Sequence, residues 1–201
     1  MSMRAYSIDA VVIGGSAGAL EALFAIVAAL SVGFSCPLVV VVHILPDRRS
    51  YLSEVLGARA KLPVKEAEAR EPLAGGTVYI APPNYHLLIE RKRCFSLSVD
   101  EPVHHSRPSI DVLFESAARA YGPGLVGILL SGANEDGAQG LASIRRAGGT
   151  TIVQAPETAE VATMPRAALR LGRADHVLSP AQIGALLARL GHSLVTDTEV
   201  S

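Results

Sequence analysis

Two strand-length apolar runs, separated by one helix-length segment, constrain the fold of this chain more than any other feature. Val11–Ile13 and Leu38–Val42 are continuous apolar runs dominated by β-branched residues, which is typical of strands buried on both faces of a parallel sheet. The segment between them, Ala17–Leu30, is rich in Ala and Leu and long enough for a helix. This order of strand, helix and strand predicts a βαβ unit.

The alternation of strands and helices returns in the second half of the chain. We predict three strands and four helices there: strands over Leu125–Leu130, Thr151–Val153 and His176–Leu178, and helices over Ser109–Tyr121, Asp136–Ala147, Met164–Leu171 and Pro180–Leu190. The first of these helices has apolar residues three or four positions apart, and the last has proline in its first turn. Such an alternation is typical of a parallel sheet covered by helices.

The stretch between these two regions has a different pattern. A helix opens at Ser50–Leu56, and residues 63–98 then hold three short alternating runs separated by turn signals: Thr77–Ile80, His86–Ile89 and Cys94–Ser98. This pattern predicts antiparallel β-hairpin material near an edge of the sheet. We therefore expect one α/β domain over residues 1–201, with its core at about 9–190: a doubly wound, mostly parallel sheet with helices on both faces and a β-hairpin edge.

Composition and charge argue against several classes of function. A net charge of −1 gives no electrostatic basis for binding nucleic acid, and the absence of Trp argues against base-stacking surfaces. The uncharged stretch Ala22–Val42 is interrupted by Gly33 and Pro37, so we expect a helix followed by a strand and no membrane insertion. The N-terminus lacks the pattern of a signal peptide, which predicts a cytoplasmic location.

Three chemically active side chains follow three predicted strands. Ser16 comes after the first strand, His43 after the second, and Asp136 after the strand at Leu125–Leu130. Ligands of open parallel sheets bind at the carboxyl ends of the strands, so we expect these residues at one edge. A serine nucleophile needs an imidazole to take its proton, and the imidazole needs a carboxylate to orient it. The three residues have the composition of a catalytic triad.

Each residue also has a plainer interpretation. Ser16 or Asp136 could cap the helix that follows, and His43 could be an ordinary histidine at a strand end. Gly14–Gly18 matches the G-x-S-x-G nucleophile elbow, but α/β-hydrolases place the acid before the histidine. A dinucleotide-binding loop is disfavoured because Ser16 stands in the place of its second glycine and His43 in the place of its acidic ribose ligand. A P-loop is disfavoured because no Gly-Lys-Ser/Thr sequence follows.

Six motifs occur in the order and spacing of a known family. They are Ile13–Ala19, Val42–Pro46, Val78–Pro82, Pro108–Phe114, Ser131–Gly140 and Met164–Ala168. Together they resemble the CheB family, the catalytic domain of the chemotaxis receptor protein-glutamate methylesterases. The resemblance spans nearly the whole chain, from about residue 9 to residue 190.

This resemblance implies a Ser–His–Asp hydrolase that cleaves glutamate methyl esters and deamidates glutamines on receptor signalling helices. By motif position, Ser16 is implied to be the nucleophile, His43 the general base and Asp136 the orienting carboxylate. The implied partner is a methylated chemoreceptor or a related signalling protein.

The resemblance also indicates the walls of the cleft. The family's oxyanion hole uses backbone N–H groups near a methionine whose position here is Ala133, and Ala17 and Asn134 are expected beside the scissile ester. Met164 is expected either in the wall of the cleft or as a core methionine. Five positions depart from the family pattern. Ala17, Ala19, Ala133 and Asn134 replace its Thr, Gly, Met and Gly, and Ile44 replaces the Met that follows its histidine. These changes motivate an alternative, a non-catalytic interaction module of a chemosensory-type pathway that retains the fold.

Two further expectations concern regulation and metals. The family carries an N-terminal receiver domain, whereas residues 1–10 precede the first predicted strand here, so we expect a receiver-domain regulator to be a separate partner. His104 and His105 stand near Asp100 and Glu101, but no second cluster completes a metal site. We therefore expect neither a metal nor a cofactor.

Overall fold

The computed structural model describes residues 8–43 and 51–191 of the chain. The strands are β1 (Ala10–Gly15), β2 (Leu38–Val42), β3 (Val64–Glu66), β4 (Val78–Ile80), β5 (His86–Ile89), β6 (Phe95–Ser98), β7 (Leu125–Leu129), β8 (Thr150–Gln154) and β9 (His176–Leu178). The helices are α1 (Ala19–Ala28), α2 (Leu52–Gly57), α3 (Ile110–Tyr121), α4 (Ala138–Arg146), α5 (Thr163–Leu171) and α6 (Pro180–Leu190).

Seven of these strands form one parallel sheet in the order β3-β4-β2-β1-β7-β8-β9. The chain first builds outward from β1 through β2, and later returns to place β7 on the other side of β1. The carboxyl ends of β1, β2 and β7 therefore meet at a topological switch point, where open α/β sheets bind their ligands.

The central strands are buried on both faces, as their continuous apolar sequences predict. Along β1, Val11 and Ile13 pack into the core formed with α1, α2 and α6, whereas Ala10 and Val12 pack into the core formed with α3, α4 and α5. Removing this apolar surface from water is the main favourable contribution to folding. The predicted α/β class, with a parallel sheet and helices on both faces, is confirmed.

The middle of the chain follows the prediction only in part. The β5–β6 hairpin is confirmed as an antiparallel pair, but it forms its own two-stranded sheet against α3. The prediction of an antiparallel strand at Thr77–Ile80 is wrong, because Val78–Ile80 lies parallel between β2 and β3. Alternation of polar and apolar residues shows which face of a strand is buried, but the direction of its partner depends on tertiary packing.

Two helices begin two residues later than predicted. Gly18, at φ 73°, stands at the N-cap of α1, and Gly137, at φ 94°, stands at the N-cap of α4. Both glycines adopt left-handed backbone that an L-residue rarely enters. Ser16 and Asp136 therefore cap neither helix, and the plainer interpretation of them as N-caps is wrong. Ser50, the predicted start of the helix after β2, lies outside the described residues.

The uncharged stretch Ala22–Val42 holds the end of α1, a connecting segment and all of β2, as predicted. Within residues 8–43 and 51–191, no helix combines the length and the apolar character needed to cross a bilayer.

Candidate active site

The backbone of β1 and β2 brings Ser16 and His43 to neighbouring positions. Gly15 pairs with Val42 in the parallel register, and the amide of His43 donates to the carbonyl of Gly15 at 3.1 Å. Ser16 and His43 are thus the first residues beyond two adjacent strands, which lie about 4.8 Å apart. The amide of Ser16 also donates to the carbonyl of Ser131, beyond β7, at 2.9 Å. Ser16 therefore lies at the switch point of the sheet.

Close packing around the Ser16 turn requires glycine. A Cβ on Gly14 would overlap the side chain of Ile110 at the start of α3, and a Cβ on Gly15 would lie 2.6 Å from that of Ala19. The side chain of Ser131 fixes the turn from the other side, because its hydroxyl donates to the carbonyl of Ala17 at 2.7 Å. These contacts hold the backbone of Ser16 against both α3 and the end of β7.

The carboxylate of Asp136 is fully buried and accepts four hydrogen bonds. Its Oδ2 accepts from Nε2 of His43 at 2.8 Å and from the amide of Ile110 at 2.7 Å. Its Oδ1 accepts from the hydroxyl of Ser109 at 2.8 Å and from the amide of Asp111 at 3.0 Å. The N-terminus of α3, where free amides and the helix dipole favour an anion, thus binds this carboxylate.

These contacts keep Asp136 ionised. Burial alone would raise the pKa of its carboxyl, but the hydrogen bonds, led by the one from His43, outweigh burial and lower the pKa below its usual value. A carboxylate that is buried and fully bonded holds its partner in one orientation. The arrangement is suited to orienting the imidazole of His43 and to stabilising its protonated form.

The hydrogen bond to Asp136 determines which nitrogen of the His43 imidazole carries the proton. A carboxylate can only accept, so Nε2 carries the proton that is donated to Asp136. Nδ1 is then the nitrogen left to accept a proton, and it lies 3.4 Å from the hydroxyl of Ser106. The hydroxyl of Ser16 makes no side-chain hydrogen bond to any residue in the described ranges; such bonds often form only when substrate is present.

Ser106 belongs to the segment that joins β6 to α3. A tight turn in this segment pairs the backbones of Val103 and Ser106 at 2.9 and 3.1 Å, and His104 and His105 adopt positive φ. His104, considered above with His105 as a metal ligand, instead has its Nε2 3.3 Å from a carboxylate oxygen of Asp111. The turn thus places the hydroxyl of Ser106 next to His43, in addition to the neighbouring Ser16.

Asp111 is a second buried carboxyl beside Asp136. Its Oδ1 accepts from the amide of Gly140 at 2.6 Å, which ties α3 to α4. Burial, followed by the negative charge of Asp136, raises the pKa of Asp111 to about 6, against the opposing effects of the Gly140 amide and His104.

The residues considered for the walls of the cleft differ in their exposure. Ala17 and Ala133 are exposed, and the amide of Ala133 has no partner among the described residues, so it is available as a donor. Asn134 accepts from the amide of Asp136 through its side-chain oxygen at 3.2 Å. Met164 is fully buried and packs beneath Gly132, so it supports the loop from below.

Sequence reasoning missed three serines of this site. Ser109 bonds Asp136, Ser131 bonds the Ser16 turn, and Ser106 lies against His43. Ser109 and Ser131 stand inside motifs noted above, so their positions were visible although their contacts were not. No sequence signal indicated Ser106.

The fold and the site together define an α/β protein with a Ser, His and Asp grouped at the carboxyl edge of a parallel sheet. The family model described as CheB methylesterase matches residues 11–187. The chain belongs to the CheB methylesterase family, which confirms the resemblance and the expected enzyme class, a methylesterase.

Individual relatives agree with this membership. A "Putative protein-glutamate methylesterase/protein-glutamine glutaminase" of Leptospira interrogans is 47% identical over 182 residues, which cover 90% of this chain and 94% of that protein. A "Protein-glutamate methylesterase/protein-glutamine glutaminase 2" of Anaeromyxobacter dehalogenans is 41% identical over 187 residues, which cover 93% of this chain but 54% of that protein. The crystal structure of the Thermotoga maritima CheB methylesterase catalytic domain matches with a TM-score of 0.87 and 34% identity, covering 92% of this chain and 99% of that one.

Proposed function

We propose that this protein hydrolyses methyl esters of glutamate side chains on signalling helices, and amides of glutamine at the same positions, with Ser16 as the nucleophile. The observation that carries the proposal is the 2.8 Å hydrogen bond between Asp136 and His43, next to Ser16 at the switch point of the sheet. The names of the relatives support the substrate class.

The chemistry proceeds in two halves. In the first, Oγ of Ser16 attacks the ester carbon and passes its proton to Nδ1 of His43, while backbone donors near Ala133 stabilise the oxyanion. The bond between the former carbonyl carbon and the methoxy oxygen then breaks, and methanol leaves with the proton from His43. In the second half, water attacks the glutamyl ester of Ser16, releases glutamate and restores the hydroxyl. With glutamine as substrate, ammonia leaves in place of methanol.

Asp136 acts on His43 throughout this cycle. Its ionised carboxylate holds Nε2 and offsets the positive charge that the imidazole gains when Nδ1 takes the proton. The alternative of a non-catalytic interaction module is not favoured, because all three chemically active residues are retained and their surroundings are packed and hydrogen-bonded. A methylated chemoreceptor or a related signalling protein is the proposed partner; a separate receiver-domain regulator and a cytoplasmic location stay predictions.

The test is the release of methanol from a methylated chemoreceptor fragment. Wild type should release methanol, and Ser16→Ala should reduce the rate by several orders of magnitude. Ser96→Ala, a serine on β6 in the separate two-stranded sheet, is the matched control and should leave the rate unchanged. No release by wild type, or equal release by Ser16→Ala, would contradict the proposal.

A further inference from the structure

A groove between α4 and α5 begins beside the candidate active site. Its larger part has a volume of about 400 Å³ and an apolar floor made by Ala138, Leu141, Ala142, Ala168 and Leu171. A smaller hollow of about 140 Å³ shares Ala138 and Leu171 with it and extends to Glu135 and His104. Because the two hollows share these lining residues, they form one groove. It starts at the loop that carries the carboxylate of Asp136, because Glu135 directly precedes that residue. We call it the α4–α5 groove.

Arginines surround the α4–α5 groove. Arg145, Arg146 and Arg173 line its far end, and Arg170 lines the end near the active site. All four are exposed, and no carboxylate of the described residues lies within ion-pair distance of them. The groove therefore combines an apolar floor with a rim of arginines that form no ion pair with the described residues.

Three acidic residues of the described ranges lie near this rim, and one of them, Glu115, lines a neighbouring hollow together with Arg146. Burial alone would raise the pKa of Asp175, but two hydrogen bonds from Thr151 and, after them, the nearby charge of Arg145 lower it, so this carboxylate is already held by Thr151. Glu135, at the near end, lies 3.9 Å from His104. The positive charge of the rim thus exceeds the negative charge next to it.

The dimensions of the groove suit a helix. α4 rises about 1.5 Å per residue, so its nine residues extend about 13 Å from the active-site loop to the far arginines. A partner helix lying along the groove would place side chains two to three turns from its active-site end against those arginines. An amphipathic helix binds such a site through apolar side chains on the floor and charges at the rim.

We propose that the α4–α5 groove docks an acidic helical segment of the protein substrate, with carboxylates two to three turns from the esterified glutamate meeting the arginine rim. This inference rests on the proposed function, because the esterified residue must reach Ser16. It adds a binding surface outside the catalytic residues and assigns the arginines a role in recognition. The exposed side chain of Leu171, 51% accessible, supplies apolar contact on the floor.

The experiment measures binding and turnover separately. A fluorescent helical peptide with one glutamyl methyl ester and glutamates two and three turns away is the probe, and a second peptide has glutamines in place of those glutamates. Anisotropy titrations use Ser16→Ala, which binds without turnover, alone and combined with Arg170→Glu and Arg173→Glu. Methanol release and the hydrolysis of p-nitrophenyl acetate, a small uncharged ester, use the same reversals in the wild-type background.

Charge reversal in the groove should weaken binding of the acidic peptide by about tenfold and raise KM by a similar factor, with kcat and the small-ester rate unchanged. The glutamine peptide should bind weakly to all variants. The matched control, Arg91→Glu with Lys92→Glu, reverses two exposed charges in the turn after β5 and should bind the acidic peptide as the parent does.

Three outcomes would overturn the groove proposal. The first is that the groove variant binds the acidic peptide as tightly as the parent does. The second is that the control variant weakens peptide binding equally. The third is that sedimentation shows a wild-type dimer that dissociates on charge reversal. If wild type releases no methanol at all, the proposed function fails, whereas the anisotropy result still tests the groove by itself.

Discussion

Replacing Asp136 with asparagine removes the charge next to His43 while keeping the shape of the side chain. The amide can keep its oxygen at the position of Oδ2, where it accepts from His43 and Ile110. Its NH2 group then occupies the position of Oδ1. There the hydroxyl of Ser109 can turn to accept, but the amide of Asp111 loses its acceptor.

The size of the effect follows from these contacts. Opposite unit charges about 4 Å apart interact by about 4 kcal/mol at the effective dielectric constant of a protein site. If the protonated imidazole loses that stabilisation in the transition state, kcat falls by about 10³-fold. The unpaired amide of Asp111 costs about 1–3 kcal/mol of the free energy of unfolding, which leaves the protein folded at room temperature.

The assay combines kcat for methanol release with unfolding in urea. Asp111→Asn is the matched control, because it removes a neighbouring buried negative charge, on α3, that makes no contact with His43, and it should keep kcat within about threefold. If Asp136→Asn folds normally and retains kcat within about tenfold of wild type, the role given to Asp136 is incorrect.

Two further predictions concern stability. Burial raises the pKa of Asp111 to about 6, so its ionisation lowers the free energy of unfolding as pH rises. Between about pH 4.5 and 7.5 the free energy of unfolding should fall by about 2 kcal/mol for this reason. Asp111→Asn should remove that difference between urea unfolding curves measured at the two pH values. An unchanged pH dependence in the variant would contradict the assignment. Gly14→Ala should lower the free energy of unfolding by about 1–3 kcal/mol, because the new methyl group overlaps Ile110. Gly172→Ala, where nothing lies within 4 Å of the added methyl group, is its control and should change little; equal stabilities for the two variants would refute the packing argument.

The sequence predicted the central sheet because burial on both faces leaves a continuous apolar run. β1 and β2 carry such runs and were recognised, whereas the three-residue strands β3 and β4 are too short to reveal their parallel partners. α1 and α4 begin two residues later than predicted because Gly18 and Gly137, in left-handed backbone, occupy the N-cap position of each helix. The direction of pairing and the backbone angle of one residue depend on contacts that a single sequence does not display.

The sequence predicts the three chemically active residues of the candidate site but not the hydrogen bonds that hold them. Ser16, His43 and Asp136 follow strand ends, so topology alone brings them to one edge. The donors that hold Asp136 come from the N-terminus of α3, and two of them are backbone amides, which no side-chain pattern identifies. Ser106 reaches His43 through the conformation of a loop, which sequence spacing does not predict.

The central claim is that Ser16 is the hydroxyl activated by His43, and a fluorophosphonate probe tests it most directly. The probe bonds to an activated serine with loss of fluoride, and peptide mass spectrometry then locates the label. Ser106, the other hydroxyl near His43, provides the sharpest internal comparison. We predict a single label on Ser16, which is absent in Ser16→Ala and His43→Ala and retained in Ser106→Ala. A label on Ser106, or no label on the folded wild-type protein, would contradict the account.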